Sequence, residues 1–251
     1  MKEENEKNET KEENNEEEKK EEEIKLYDSI IENIETVFTS DNYDTSTIDS
    51  GKDEIIEIDK MTITFTTTEN QKNSTNNNLT TIDLGDCEIS LRKFYNISSD
   101  QTLYMKKIDV VQDGMKTAKV EYDVYYKNSD SNLEKLNLSV CENNKVVLSV
   151  PIIISESIDK LNSSSGYYND LCYTATSDSG TDISLEDRKK EFVEGNKTVC
   201  QDGCDFSHYD NIMQKANCSC KVKESSSSFI DMKINKAKLY ENFVDIKNIA
   251  N

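Results

Sequence analysis

The chain has no tryptophan, a single proline (Pro151) and a single histidine (His208). The first two shortages, beside abundant Lys, Asn, Ile, Glu, Asp, Ser and Tyr, read as the coding bias of an AT-rich genome and carry no functional information. No run approaches the ~18 apolar residues that a membrane-spanning helix needs. The longest, Val150-Pro-Ile-Ile-Ile154, is strand-sized. Met1 is followed by Lys-Glu-Glu-Asn-Glu, without the apolar core of a secretory leader. There is no phosphate-binding glycine loop, no Gly-x-Ser-x-Gly elbow and no His-Glu-x-x-His helix, so no catalytic residue and no cofactor are expected.

Basic residues are scarce relative to acids. Thirty Lys and Arg stand against fifty Asp and Glu, a formal net charge of −20 over 251 residues. Such a surface repels nucleic acid and anionic headgroups, which excludes both as expected partners. The charge is uneven. Residues 1–23 are almost entirely Glu, Lys and Asn, a composition that reads as an acidic disordered tail able to attract basic partners or cations.

The remainder divides by texture. Segment 24–78 reads as a helix at Ile24–Phe38, short strands and low-complexity linkers. In the helix, Ile24, Tyr27, Ile30, Ile31, Ile34, Val37 and Phe38 recur at helical spacing while Glu32 and Glu35 face away. Thr39–Glu54 and Glu69–Asn78 read as linkers, with strands at Ile55–Ile58 and Met61–Thr66. Segment 79–195 reads as an antiparallel α+β domain. Asp86 is placed to cap a helix carrying Ile89, Leu91, Phe94 and Tyr95. Leu103–Val111 and Lys119–Tyr126 are strands around Asp113-Gly114, a hairpin signal. Period-two alternation puts Val120, Tyr122 and Val124 on one face, and Leu136, Leu138 and Val140 in another buried row. Leu133–Cys141 and Val146–Ile154 read as a second hairpin whose return strand is apolar enough to be central, and Ser184-Leu-Glu-Asp187 starts a helix in the manner of a capping box. Segment 196–224 is a cysteine-rich module, and 225–251 a linker and a helix at Lys236–Ile249. That last helix stops without a cap, which suggests a chain that continues. The fold class expected is α+β: a small antiparallel sheet with flanking helices and a disulfide-rich hairpin, behind an acidic tail.

Seven cysteines, Cys87, Cys141, Cys172, Cys200, Cys204, Cys218 and Cys220, all lie beyond the first third. That segregation suits a disulfide-stapled extracellular domain, in which each bridge adds ~2–4 kcal/mol to a thin core. An odd count leaves one thiol over, and connectivity is open. Cys218 and Cys220, two apart, would share one face of a strand with Cβ atoms roughly 6.5–7 Å apart, which suits two separate bridges. The alternative is a structural zinc site built from Cys200, Cys204, Cys218 and Cys220, whose sulfurs would have to converge to about 3.8 Å. The spacing Cys-x-Cys is too tight for the usual zinc knuckle. Cys204 and His208 form no nucleophile pair if the thiol is bridged, and His208 reads as a surface or hairpin-tip residue. Asp170, Asp178 and Asp182 lack a calcium-loop spacing and read as part of a helix-entry loop.

Asn-x-Ser/Thr sequons occur at Asn8, Asn73, Asn78, Asn96, Asn137, Asn162, Asn196 and Asn217, with Asn96, Asn137, Asn162 and Asn196 the leading glycosylation candidates. Leu-Asn-Leu-Ser-Val-Cys (136–141), Ser-Ser-Ser-Gly-Tyr-Tyr-Asn-Asp-Leu-Cys (163–172), Ser-Gly-Thr-Asp-Ile-Ser-Leu-Glu-Asp-Arg-Lys (179–189) and Lys-Ala-Asn-Cys-Ser-Cys (215–220) together resemble a cysteine-containing, membrane-proximal ectodomain segment of large surface proteins of AT-rich protists. The resemblance covers most of the second half and none of the acidic N-terminal third. It implies a cell-surface glycoprotein segment without assigned activity, attached to membrane only through sequence beyond this chain, which ends before any membrane span. The expected function is a non-enzymatic extracellular or lumenal segment with a recognition or structural role and an unknown protein or glycan partner. The alternative is a cytoplasmic interaction protein with reduced cysteines, with or without the small zinc module.

Overall fold

Strand β4 (Leu103–Val110) is buried along its whole length, so both of its faces must be covered. The computed structural model describes residues 29–222 except 42, 59–60, 112–116, 155, 178, 195–196 and 202. The acidic tail, the C-terminal linker and helix, the Asp113-Gly114 turn, Asp178, Asn8 and Asn196 lie outside the described residues.

Around β4 the chain builds a five-stranded antiparallel sheet in the order β1 (Glu54–Ile58), β2 (Met61–Thr67), β4, β5 (Lys119–Lys127), β6 (Leu133–Lys135). A second antiparallel sheet runs β3 (Thr81–Asp83), β7 (Lys145–Pro151), β9 (Lys215–Lys221), β8 (Cys204–Asp210). The fold class is therefore α+β with flanking helices, as the sequence suggests, but with two sheets instead of one. Each sheet also draws strands from both sides of a textural boundary: β1 and β2 join β4–β6, and β3 and β7 join β8–β9.

Period-two alternation assigns the two faces of the larger sheet to two cores. On one face Ile63, Phe65, Tyr104, Ile108 and Tyr125 meet Ile30, Ile34 and Phe38 of helix α1 (29–38), and Ile48 of α2 (Ser46–Asp49). Phe38 stacks on Phe65 with ring centroids 4.2 Å apart and meets Tyr125 edge-on at 5.2 Å. On the other face Leu103, Met105, Val120, Tyr122 and Val124 meet Val146, Leu148, Val150, Ala216 and Cys218 of the second sheet, together with Cys87 and Leu91 of α4 (Asp86–Tyr95). Val120, Tyr122 and Val124 thus share a face, as their spacing requires.

Five expectations are corrected. Leu133–Cys141 is not one strand: β6 ends at Lys135, and Leu138–Cys141 is a 3-10 turn capped by Asn137, whose Oδ1 accepts from the Ser139 N–H at 2.8 Å. There is consequently no second hairpin. The chain crosses from one sheet to the other between β6 and β7, and β7 is central in its own sheet. Glu69–Asn78 is not all linker, because Thr67 caps α3 (Thr68–Asn73) by accepting from the Asn70 N–H at 3.0 Å. Thr39–Glu54 likewise contains α2. Helix α4 carries Ile89, Leu91, Phe94 and Tyr95 as expected, burying Leu91 with Cys87 and leaving Ile89 and Phe94 65% and 67% exposed; what is corrected is its cap. Its N-cap is Gly85 at φ +50°, a conformation that favours glycine, and Asp86 falls inside the first turn.

Between β7 and β8 in sequence, the described residues of 156–194 form a unit with α5 (Gly166–Asn169) and α6 (Leu185–Glu194), anchored in the main core by Leu161. Ser184 caps α6, accepting from the Asp187 N–H at 3.1 Å. Arg188 is the unit's keystone. It is buried, donates to the carbonyls of Tyr167 (2.6 Å) and Asp170 (3.2 Å), and lies over the rings of Tyr167 and Tyr173.

Candidate functional site: the cross-linked sheet and the residues around it

Adjacent strands bring the cysteines together. In β9, Cys218 and Cys220 project from the same inner face toward the core. Phe206 and Cys204 of β8 lie opposite them in register. Cys204 bridges to Cys220, and Cys200, just before β8, bridges to Cys218. The two-apart spacing therefore serves two separate bridges. The four thiols that the alternative reading gives to zinc are consumed in these bonds. Among the described residues no group of three or more His, Cys, Asp or Glu is placed to hold a metal ion. The third bridge, Cys87–Cys141, ties α4 to the 3-10 turn across 54 residues of sequence. Cys172 is the odd thiol, exposed, in the unit of α5 and α6. Three bridges of this kind favour an oxidising environment. No helix among the described residues is long and apolar enough to cross a membrane.

The remaining candidates do not converge on the cysteines. His208 is exposed on β8 at a bulge, with Nε2 3.0 Å from Asn217 Nδ2. The Asp170 carboxylate accepts from the Cys172 N–H where Asp170 closes the C-terminus of α5, so Asp170 is at a helix exit and not at an entry; Asp182 forms an isolated bridge with Thr176 shortly before α6. The sequons differ in access. Asn73, Asn78, Asn96 and Asn137 are exposed and Asn162 is half-buried. Asn96 ends α4 at φ +55°. Asn217 is buried in β9, where its carbonyl oxygen accepts from Ser149 Oγ.

Sequence reasoning missed the buried charges. Lys106 Nζ lies 2.5 Å from Glu35 Oε2 and 2.8 Å from Asp123 Oδ2, and Lys135 Nζ lies 2.9 Å from Asp123 Oδ1. Glu35 therefore turns inward from α1 rather than facing away. Burial alone would raise the Glu35 and Asp123 carboxyls, but the hydrogen bonds and charges of Lys106 and Lys135 outweigh it and hold both below the usual carboxylate range. Tyr125 donates to Glu35 Oε1 at 3.1 Å; burial, with the charges of Asp123 and Glu35, pushes its phenol far up.

The opposite face of β4 is handled differently. Lys107 donates to the Thr80 carbonyl at 2.6 Å and pairs with Asp109 Oδ2 at 2.5 Å. Thr64, Lys107 and Tyr122 lie side by side across β2, β4 and β5. Thr64 Oγ1, Tyr122 OH and Asp109 Oδ1 are buried with no hydrogen-bond partner among the described residues. Lys215, on β9, is 3% exposed. Burial and the nearby charge of Lys107 push its amine down to about 8, against the pull of Asp109 and Asp210. The one signal in sequence for these groups is the presence of Lys and Asp at 106, 107, 109 and 123, inside segments that otherwise read as strand.

A groove of about 620 Å³ opens between α2 and α3, lined by Asp49, Asp53, Glu69, Asn70 and Asn73 among others. Its carboxylates already have donors. Asp49 accepts from Tyr104 OH and Thr45 Oγ1, each at 2.8 Å; Asp53 accepts from Thr66 Oγ1 at 2.5 Å; Glu69 accepts from Asn73 Nδ2 at 2.6 Å.

No protein-family model matches the chain, and neither a curated protein nor a solved structure matches it.

Proposed function

We propose that the chain is a non-enzymatic extracellular or lumenal segment of a larger cell-surface protein, serving recognition or structure. The observation that carries this reading is the set of three disulfides with all six sulfur-bearing residues in or against the main core. In a reducing compartment those bonds would not persist, and a chain this polar would lose the cross-links that supplement its cores. The acidic surface argues for a protein or glycan partner over nucleic acid. The cytoplasmic alternative requires free thiols at positions the fold pairs, which is why it ranks second.

The test is surface labelling. Intact cells producing the native protein are treated with a membrane-impermeant amine reagent, and peptides are mapped without reduction. Labelled lysines in 52–221, together with linked Cys87–Cys141, Cys200–Cys218 and Cys204–Cys220 peptides, support the reading. Unlabelled protein with six alkylatable thiols at those positions would sink it.

A further inference from the structure

We propose that Asn73 carries an N-linked glycan whose first sugars rest in the groove between α2 and α3. This rests on the extracellular reading. Three observations meet at this position. Asn73-Ser74-Thr75 is a sequon. Asn73 closes the six-residue α3, and Ser74 leaves it in an extended conformation, so acceptor and Thr75 are both exposed. Asn73 is also a wall of the groove, whose volume of about 620 Å³ falls in the ~300–1,000 Å³ span of small-ligand clefts.

The groove's chemistry suits sugar hydroxyls better than a cation. Asp49, Asp53 and Glu69 each already accept from a neutral hydroxyl or amide, so their lone pairs are partly engaged, and among the described residues they are not placed together as a metal-ligand set. What remains at the walls is a mixture of carboxylate, amide and hydroxyl groups with free acceptor and donor capacity, the partners that sugar hydroxyls use. The other exposed sequons, Asn78, Asn96 and Asn137, are not among the residues that line it. Asn217 marks the opposite extreme. Its amide is held between Ser149 and His208 within the sheet, beside the bridged Cys218, and a glycan there would break that ladder.

The covalent step balances with a polyprenyl-pyrophosphate-linked oligosaccharide as donor and the transferase of the secretory pathway as catalyst. Asn73 Nδ2 forms a bond to the anomeric carbon, the bond from that carbon to the pyrophosphate oxygen breaks, the amide gives up one proton, and the lipid pyrophosphate departs. The remaining N–H still reaches Glu69 Oε1, which would orient the first sugar.

The full chain is made in a eukaryotic secretory host, and two measurements follow. Amidase release of glycans in ¹⁸O water marks each occupied asparagine, and amide exchange over 48–53 and 67–76 is compared between wild type and Thr75→Ala, which removes the sequon while keeping Asn73. The expected result is an ¹⁸O mass shift at Asn73, none at Asn217, and faster exchange of both segments in Thr75→Ala. Asn73→Gln serves as a second variant and should match Thr75→Ala. Occupied Asn78 or Asn96 beside an unmodified Asn73 overturns the proposal, as does a glycan at Asn73 that leaves exchange unchanged. Bridged cysteines with no occupied sequon overturn it alone. Free thiols with no occupied sequon overturn the extracellular reading with it.

Discussion

The two faces of the larger sheet bury polar groups by opposite means. Toward α1, Lys106, Lys135, Glu35, Asp123 and Tyr125 satisfy one another, and no cysteine belongs to that core. Toward the second sheet, six cysteines form three bridges in or against the core, while Thr64, Tyr122 and Asp109 each keep a buried oxygen without a hydrogen-bond partner among the described residues. An unmatched buried polar group costs roughly 1–3 kcal/mol, and a disulfide contributes ~2–4 kcal/mol. One face is thus specified by polar complementarity. The other tolerates polar mismatch because covalent links hold it. The comparison predicts that each face should fail to a different perturbation.

The largest expected effect is reduction. Replacing Cys87 and Cys141 by Ala removes a link across 54 residues, which the chain-entropy estimate puts at about 4 kcal/mol, against about 3 kcal/mol for either shorter bridge. Denaturant unfolding of the three double variants measures this. Reduction of all three bridges should release amide protection in β7–β9 before β2, β4 and β5. Loss of protection in the α1 face first would break the contrast.

Next is Lys106→Met. It leaves the half-buried Glu35 and the buried Asp123 facing each other without their shared buried cation, Lys135 remaining at the rim, and truncating one partner of such a cluster costs on the order of 3 kcal/mol. The loss should shrink below pH 4, because carboxyls held below their usual range contribute stability above the unfolded pKa that disappears as they protonate. A pH-independent deficit would show that the lysine acts by packing alone.

The unequal legibility of the two faces has the same origin. Where apolar residues alternate strictly, as at Val120, Tyr122 and Val124, sequence spacing suffices to place them. The same holds for Cys218-x-Cys220, whose two-residue period implied two bridges, and for Ser184 as a cap. Leu136 and Leu138 keep a strand-like spacing and are both buried, yet one side-chain cap at Asn137 turns them into a 3-10 connection between sheets. Glu35 and Lys106 were illegible because a charge looks exposed until its partner, 71 residues away, is known. The groove was hidden for a related reason: α3 depends on Thr67 capping a segment whose composition reads as linker.

Lys215 sharpens the comparison from the cross-linked side. Unlike Lys106, it has no carboxylate hydrogen-bonded to it among the described residues, and its amine is pushed down to about 8. The unfolded chain, with a lysine near its ordinary value of ~10.4, binds more protons between those two values, so stability should rise with pH across that window. The gain is on the order of 2 kcal/mol. It should be read between pH 7.5 and 9.5, since Tyr43, Tyr122 and Tyr125, whose phenols are raised by burial, reverse the slope above pH 10. Lys215→Met should flatten the curve and be the more stable protein at pH 7. A wild-type stability flat from pH 7.5 to 9.5 would remove Lys215 from the contrast.

The smallest effect reverses the usual sign. Tyr122→Phe deletes a buried hydroxyl that has no partner among the described residues and keeps the ring against Val120 and Val124. Nothing hydrogen-bonded is lost, so the variant should gain about 1 kcal/mol in denaturant unfolding. The matched change on the other face is Tyr125→Phe, which removes a donor to Glu35 at 3.1 Å and should lose about 1 kcal/mol. The two tyrosines sit three residues apart on one strand with their rings in different cores, so intrinsic strand preference cancels between them. If both substitutions destabilise equally, the hydroxyl of Tyr122 is satisfied in solution, and the polar mismatch assigned to the cross-linked face does not exist there.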